Sequence, residues 1–260
     1  MAAAFQPARR GSHRPPRNGE ERVFKVRIKG TNEVASRTLA VHLTKPEGFS
    51  FEAGQFIEAA LIDPPETDAE GNGRAFTLAS APHEPDLIFA TRLRDTAFKR
   101  TLKNLRKGQE ISLDGPFGSF TLHKDAARPA VFLAGGIGIT PFRSIVLQAA
   151  NEALPHRLLL FYANRRPEDA AFLYELQALE KQNPRFTLVA TMTQAQPSSQ
   201  PWQGPRGHID KAMIERHAGP MTAPIYYIAG PAGMVRAMQN LLRSAGVTTD
   251  NIRAEEFAGY

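Results

Sequence analysis

Four short stretches of this 260-residue chain carry residue types that could do chemistry. In Ala134-Gly135-Gly136-Ile137-Gly138-Ile139-Thr140-Pro141, glycines join an apolar run, Ala130–Ala134, to a helical one, Phe142–Asn151. Such glycines let backbone approach a ligand closely, and the N–H groups opening a helix suit a phosphate. Thr140 is placed to cap that helix and Pro141 to occupy its first position, where a missing N–H costs nothing. Pro141 stands where the ordinary G-x-G-x-x-G loop has its third glycine, and a tight turn with nothing bound fits the same residues. In Arg74-Ala75-Phe76-Thr77-Leu78-Ala79-Ser80, a base, an aromatic and a hydroxyl on one strand face could pair a phosphate, stack on a flat ring and hydrogen-bond its edge; ordinary strands carry the same pattern. Gly115-Pro116-Phe117-Gly118-Ser119-Phe120 reads first as a sharp turn closing a barrel. Tyr227-Ile228-Ala229-Gly230-Pro231-Ala232-Gly233-Met234 is a second apolar strand opening onto a helix.

The elements that must position these residues fall into two textures. Val23–Lys29, Val34–Thr44, Gln55–Ile62, Arg74–Ala79, Leu87–Arg94 and Glu110–Leu113 alternate or are β-branched, separated by turn clusters and by one helix, Ala97–Arg106, stopped at Gly108. Short strands at this spacing predict a six-stranded antiparallel barrel over 20–124. From 125 to 260, apolar strands alternate with helical runs: Ala130–Ala134, Phe142–Asn151, Arg157–Tyr162, Pro167–Gln182, Arg185–Thr191, His208–His217, Ile225–Ile228, Ala232–Ala245 and Ile252–Phe257. That rhythm predicts a doubly wound parallel-sheet α/β domain. Residues 1–19, rich in Arg, Pro, Gly and Ala without hydrophobic period, read as a flexible basic tail.

Composition removes several classes of function. There is no cysteine, which excludes disulfides, thiolate zinc, a cysteine nucleophile and any iron–sulfur cluster held by this chain. No stretch reaches the about 20 consecutive apolar residues of a membrane span, so a soluble, cytoplasmic protein is expected. The net charge of +6 owes four units to Arg9, Arg10, Arg14 and Arg17; without them 28 bases face 26 acids, too even a balance to suggest nucleic acid. No Gly-x-Ser-x-Gly elbow, Gly-Lys-Ser/Thr phosphate loop or His-Glu-x-x-His helix is present, and no metal site is expected. A non-enzymatic rival, a basic module binding RNA or membrane through its tail, predicts a colourless protein with steeply salt-dependent polyanion binding.

Taken in order and spacing, the four stretches resemble the ferredoxin–NADP reductase family of flavoproteins, over about Val23 to Tyr260. The resemblance implies an FAD-binding barrel followed by an NAD(P)-binding α/β domain, with hydride passing from NADPH or NADH to FAD and single electrons onward. It places Arg74 on the FAD pyrophosphate, Phe76 against the isoalloxazine where the family often has Tyr, and Thr77 near flavin N5 in place of the usual Ser. Thr91, Arg92 and Leu93 would give the flavin backbone contacts, and Ala97, Phe98 and Lys99 would offer helix N–H groups to the pyrophosphate. Gly135, Gly136, Gly138, Thr140 and Pro141 would hold the nicotinamide dinucleotide, with Gly230 and Pro231 flanking the nicotinamide. Ala229 sits where many relatives have a cysteine, and Ala53 precedes Gly54 where Pro is frequent. Phe257 or Tyr260 could cover the flavin, Phe257 equally being a packing residue, and Glu255 or Glu256 could assist proton movement.

An acid at the end of the second strand of such a domain reads the ribose 2′-hydroxyl of NAD, an arginine the 2′-phosphate of NADP. Here the strand ends Tyr162-Ala163-Asn164-Arg165-Arg166-Pro167, favouring NADPH over NADH; Glu168 and Asp169 open the next helix. The expected acceptor is a small acidic electron carrier, ferredoxin or flavodoxin, or else an oxygenase component or free flavin, served by a monomer. Lys99, Arg100, Lys103, Arg106 and Lys107, with no acid among them, could steer such a carrier, or form an ordinary solvated face.

Overall fold

A computed structural model describes residues 23–196 and 198–257; the tail expected over 1–19 and Tyr260 lie outside them. The first half folds as β1 (Phe24–Ala35), β2 (Thr38–Thr44), β3 (Phe56–Leu61), β4 (Gly73–Thr77), β5 (Asp86–Arg92), α1 (Ala97–Asn104) and β6 (Glu110–Phe117). These strands make one six-stranded antiparallel sheet in the order β4-β3-β6-β1-β2-β5. Between β4 and β5 the ladder shrinks to a single bridge, Leu78 to Phe89, so the barrel closes at one point and its strands part beyond it. Strand alternation drives the curl: Val26 and Ile28 turn into the core between exposed Lys25 and Arg27. The sequence suggested separate strands over Val23–Lys29 and Val34–Thr44. Instead β1 runs through Gly30 to Ala35 and turns at Ser36-Arg37, where Arg37 adopts φ 53°.

β2 and β5 are buried along nearly their whole length because both their faces are covered. Leu39, Val41, Leu87 and Phe89 fill the barrel. Ala40, Ile88 and Ala90 face the other way and meet Ile137, Phe172 and Phe257 from the second half. That second half comprises β7 (Ala130–Gly135), α2 (Ile139–Asn151), β8 (Leu158–Asn164), α3 (Leu173–Gln182), β9 (Phe186–Met192), α4 (Lys211–Ala218), β10 (Ile225–Gly230), α5 (Ala232–Ser244) and β11 (Ile252–Glu256).

Its five strands are all parallel, in the order β11-β10-β7-β8-β9. Unbroken apolar runs in β7 and β10 follow from burial on both faces. α2 and α3 cover one face through Phe142, Ile145, Leu173 and Leu176, and α4 and α5 cover the other through Ile214, Val235, Met238 and Leu242. The helix expected over Pro167–Gln182 breaks into a 3-10 turn at Pro167–Asp169 and α3, with Phe172 between them at φ 60°. From β7 the chain winds outward to β8 and β9, then crosses back to β10 on the other flank of β7. The crevice beyond the carboxyl ends of β7 and β10 is therefore the switch point at which such sheets take ligands. Among the described residues, no helix is long and apolar enough to cross a membrane.

Candidate active site

Where β4 and β5 part, the first group of candidate residues gathers. Phe76 is buried and stacks on Phe89, centroids 4.3 Å apart and planes 16° from parallel, with Phe98 of α1 at 5.9 Å. Arg74 shares the Phe76 face of β4 and lies over Phe98 at 5.1 Å. Thr77, also buried, is the next residue and projects from the opposite strand face; the expectation that all three share one face fails on the two-residue period.

Arg74 is not free. Its Nη1 donates to the carbonyls of Glu70, Gly71 and Gly73 at 3.1, 2.8 and 2.7 Å, and its Nη2 donates to Asp68 Oδ1 at 2.9 Å. Its Nε lies 3.2 Å from Glu70 Oε2. The first turn of α1, at Phe98, also faces the Asp68 carboxylate, which accepts from the Glu70 N–H at 3.0 Å as well. Burial works against that charge, but Arg74, the Glu70 N–H and the backbone of α1 at Phe98 outweigh it and hold the Asp68 carboxyl below its ordinary range. An anion thus sits where the sequence put a phosphate, on Arg74 and the opening of α1.

The remaining members of this group divide. Thr96 caps α1, its Oγ1 accepting from Lys99 N–H at 3.3 Å, so that N–H is already used. The Lys99 ammonium bonds the Thr91 hydroxyl. Arg92 turns away as a tie between the halves, donating to Ser36 O at 3.2 Å and Asp169 O at 3.1 Å. Leu93 is held through its backbone by Arg37, whose carbonyl accepts from Leu93 N–H at 2.8 Å.

At the second group, β7 enters a 3-10 turn over Gly136–Gly138 and then α2. Gly136 has φ 52°, a conformation that favours glycine. A Cβ on Gly138 would stand 2.2 Å from the Ala229 carbonyl oxygen, so this glycine is required by the neighbouring strand β10. α2 begins earlier than expected, at Ile139, with Gly138 rather than Thr140 as N-cap. Thr140 and Pro141 lie buried inside the first turn, the Thr140 hydroxyl donating back to Ile137 O at 3.2 Å. Gly230 and Pro231 end β10 beside Gly135, across the crevice.

The end of β8 carries the third group. Among the described residues, both polar atoms of the buried Asn164 amide lack a partner. Arg165 is exposed and pairs with no described carboxylate, whereas Arg166 is bound to Asp169, with Nε to Oδ2 at 3.1 Å and Nη2 to Oδ1 at 3.3 Å. Glu168 is engaged too, accepting from Ser198 Oγ at 2.6 Å. Neither acid after the strand is available to a ribose hydroxyl, and one arginine is available to a phosphate.

β11 brings the C-terminal candidates alongside. Glu255 pairs in register with Ala229 and lines a cavity of about 630 Å³ together with Ser119, Thr121, His123 and Arg253. Burial pushes its carboxyl up to about 7. Glu256 is exposed. Phe257 donates its N–H to Gly230 O at 3.0 Å and packs with Ile137, Ala40 and Ile88 on the seam between the halves.

The sequence reading missed the residue that holds this seam. Arg143 of α2 is buried, yet donates to Ala79 O at 2.7 Å, to the Glu84 carboxylate at 3.0 and 3.2 Å, and to the Glu175 carboxylate at 2.7 and 2.6 Å. Beside it, Ser144 Oγ donates to Ser80 O at 2.7 Å. These bonds fix the strand leaving Thr77 against the helix leaving the glycine turn. The only signal for them was one arginine in the apolar first turns of α2.

Comparison with known proteins accords with this layout. The oxidoreductase NAD-binding domain family matches residues 132–240. Ferredoxin–NADP reductase B of Sorangium cellulosum is 30% identical over 85% of this chain and 91% of its own length. The chain belongs to the ferredoxin–NADP reductase family. The glycine betaine monooxygenase reductase subunit of Chromohalobacter salexigens is also 30% identical over 85% of the chain, which spans 60% of that longer relative. A ferredoxin NADP+ reductase from Neisseria gonorrhoeae, solved with bound FAD and NADP, shares the fold with a TM-score of 0.75 at 21% identity, over 91% of this chain and 99% of that one. For a family that uses FAD and a nicotinamide coenzyme, the residues of this chain fit both groups. A carboxylate already seated on Arg74 and α1 marks an anion site, and the unsatisfied Asn164 amide marks a polar ligand position beyond β8.

Proposed function

We propose that this reductase-family chain takes hydride from NADPH through FAD and delivers electrons singly to a protein acceptor. We assign the residues around the β4–β5 gap, Arg74, Phe76, Thr77, Thr91 and Lys99, to FAD. We assign the Gly136–Gly138 turn, Gly230, Pro231 and the end of β8 to the coenzyme. Domain limits near 20–124 and 125–260 follow from the same division. FAD, when bound, would take one hydride, two electrons with a proton, from the coenzyme and would pass the two electrons on singly, the proton leaving to solvent. The single observation that carries the preference for NADPH is the contrast at the end of β8: among the described residues Arg165 pairs with no carboxylate, while Glu168, Asp169 and Arg166 are bound to other groups. A guanidinium there offers a fork for a 2′-phosphate.

The protein's own part is to position and to shield. Arg143, Ser144 and Arg92 hold the two halves at fixed separation, and Ile137 and Phe257 keep their seam dry. Glu255, keeping its proton to about pH 7, holds that proton at its carboxyl beside Ala229. Docking of the acceptor falls to a smaller basic face than the sequence suggested. Lys99 points inward, and Arg100 is neutralised by Glu66 and Asp95. Lys103, Arg106 and Lys107 are exposed and suit an acidic carrier or an acidic face of an oxygenase component. The purified chain is expected to be yellow and to bleach without oxygen on adding NADPH. A colourless chain that binds no flavin, or a yellow one that only NADH bleaches, refutes the corresponding half of the reading.

A further inference from the structure

Between β6 and β7 the chain runs as a strap, residues 118–129, that joins the two halves. It is fastened near the amino ends of the parallel strands, the end of the sheet opposite the crevice. His123 of the strap is buried and held by two elements. Its backbone N–H donates to Tyr227 Oη of β10 at 2.8 Å, its Nδ1 lies 3.0 Å from the same oxygen, and its Nε2 lies 3.0 Å from Arg128 O. Its carbonyl receives Nε2 of His156, also buried and two residues before β8, at 2.8 Å. A carbonyl can only accept, so both histidines carry a hydrogen on Nε2. The Tyr227 hydroxyl accepts the His123 N–H and gives its own hydrogen to Nδ1, an arrangement that requires His123 to be neutral.

We propose that His123 is an acid-released latch: neutral, it ties the strap to β10, and on taking up a proton it lets residues 119–128 lift from the sheet. A proton on Nδ1 makes that nitrogen a donor towards an oxygen that already receives the His123 N–H, and deprives the Tyr227 hydrogen of its acceptor. The new charge is also buried beside cations. Arg253 of β11 lies over the Tyr227 ring at 5.1 Å, the His156 ring is centred 5.2 Å away, and Arg128 spends its guanidinium on the Ala223 and Pro224 carbonyls and on Asn251. Across the cavity stand Lys124 and Glu255, and Asp125 turns its carboxylate to the Ala127 N–H at 3.1 Å. No described carboxylate pairs with the His123 ring. Burial first, then His156 and Arg253, hold His123 below the ordinary imidazole range, against backbone contacts of Arg128 and Asp125 that raise it. An open strap takes up a proton near pH 6.5 that the closed strap refuses, so closure is at full strength above about pH 6.5 and weakens as pH falls. Release uncovers Phe120, now packed 5.6 Å from Tyr227 and 5.8 Å from Phe142 of α2, and leaves the halves to the contacts of Arg143, Ser144 and Arg92.

The test follows amide hydrogen exchange of the full chain by mass spectrometry at pH 7.5 and 5.5, corrected for the intrinsic rate at each. Opening of 119–128 should rise at least threefold, and up to about tenfold for a closed ring that stays neutral throughout, while α4 changes little. In His123→Gln, uncharged at both pH values, the rise should shrink below about twofold, whatever the variant's exchange at pH 7.5; in His156→Gln it should persist. A wild-type rise below threefold, an equal rise in α4, or a rise that survives His123→Gln overturns the proposal, as does one abolished by His156→Gln alone. Should His123→Gln not fold, proton NMR of the wild-type imidazole decides: a His123 ring more than half neutral at pH 6 supports the latch, and one more than half protonated there refutes it.

Discussion

Replacing Arg143 with methionine tests how the two halves are held together. The side chain is 6% exposed and Glu84 is 21% exposed, whereas Glu175, at 40%, keeps much of its hydration. Methionine fills similar volume but leaves two carboxylates facing each other across the seam and the Ala79 carbonyl without its donor. Removing one partner from a buried ion pair costs about 3–5 kcal/mol. Because water screens Glu175, the lower end applies, about 3 kcal/mol. For a chain of this size that lowers the melting temperature by about 6–12 °C, at about 2–4 °C per kcal/mol. The measurement is urea or thermal unfolding of Arg143→Met beside a triple variant that adds Glu84→Gln and Glu175→Gln. Neutralising the two acids removes the repulsion and should recover at least half of the lost stability. A single variant that loses less than about 1 kcal/mol, or a triple variant as unstable as the single one, would show that the cluster is a bystander to folding.

Three other outcomes are expected. Arg165→Ala should weaken NADPH at least tenfold and leave NADH almost unchanged, while Arg166→Ala, already paired with Asp169, should change either coenzyme less than about threefold; steady-state KM values decide this. Glu255, whose carboxyl is raised to about 7 from the ordinary 4.5, is neutral in the fold at pH values where the unfolded chain has lost its proton. Stability should therefore fall as pH rises from about 4.5 to 7 and then level, and Glu255→Gln should be more stable than wild type at pH 8 but equal to it at pH 4, by denaturant titration at both. Changing Lys103, Arg106 and Lys107 to Glu should slow reduction of an acidic protein acceptor at low salt and leave reduction of ferricyanide intact; an acceptor rate insensitive to both the changes and ionic strength removes this face as the docking site.

The order and type of the elements were readable because hydrophobic period reports which faces are covered. All six barrel strands and the parallel alternation of the second half were found that way. Boundaries failed where a single backbone angle decides, at Arg37, Phe172 and the start of α2. Gly-Gly-x-Gly and Arg-x-Phe-Thr located the candidate site because the types themselves, glycine and a phosphate-sized cation, are tied to local geometry. Side-chain partnership was not readable. That Arg166 is neutralised while its neighbour Arg165 is not, or that Asp68 lies on Arg74, depends on loops folding back over several residues, which no periodicity encodes. Arg143 escaped because one charge among apolar helix residues usually points to solvent, and here the barrel supplies the acid and the carbonyl that receive it.

The tight fit of Gly138 against the Ala229 carbonyl has a bearing on how coenzyme choice can change in proteins of this kind. Because the turn is moulded by a strand next door, its shape is insulated from whatever occupies it, and drift at the far rim beyond β8 leaves the mould untouched. On the coenzyme assignment proposed above, swapping one nicotinamide coenzyme for the other asks for one or two exposed positions around Arg165, and evolution or a designer can rewrite them without reopening the fold.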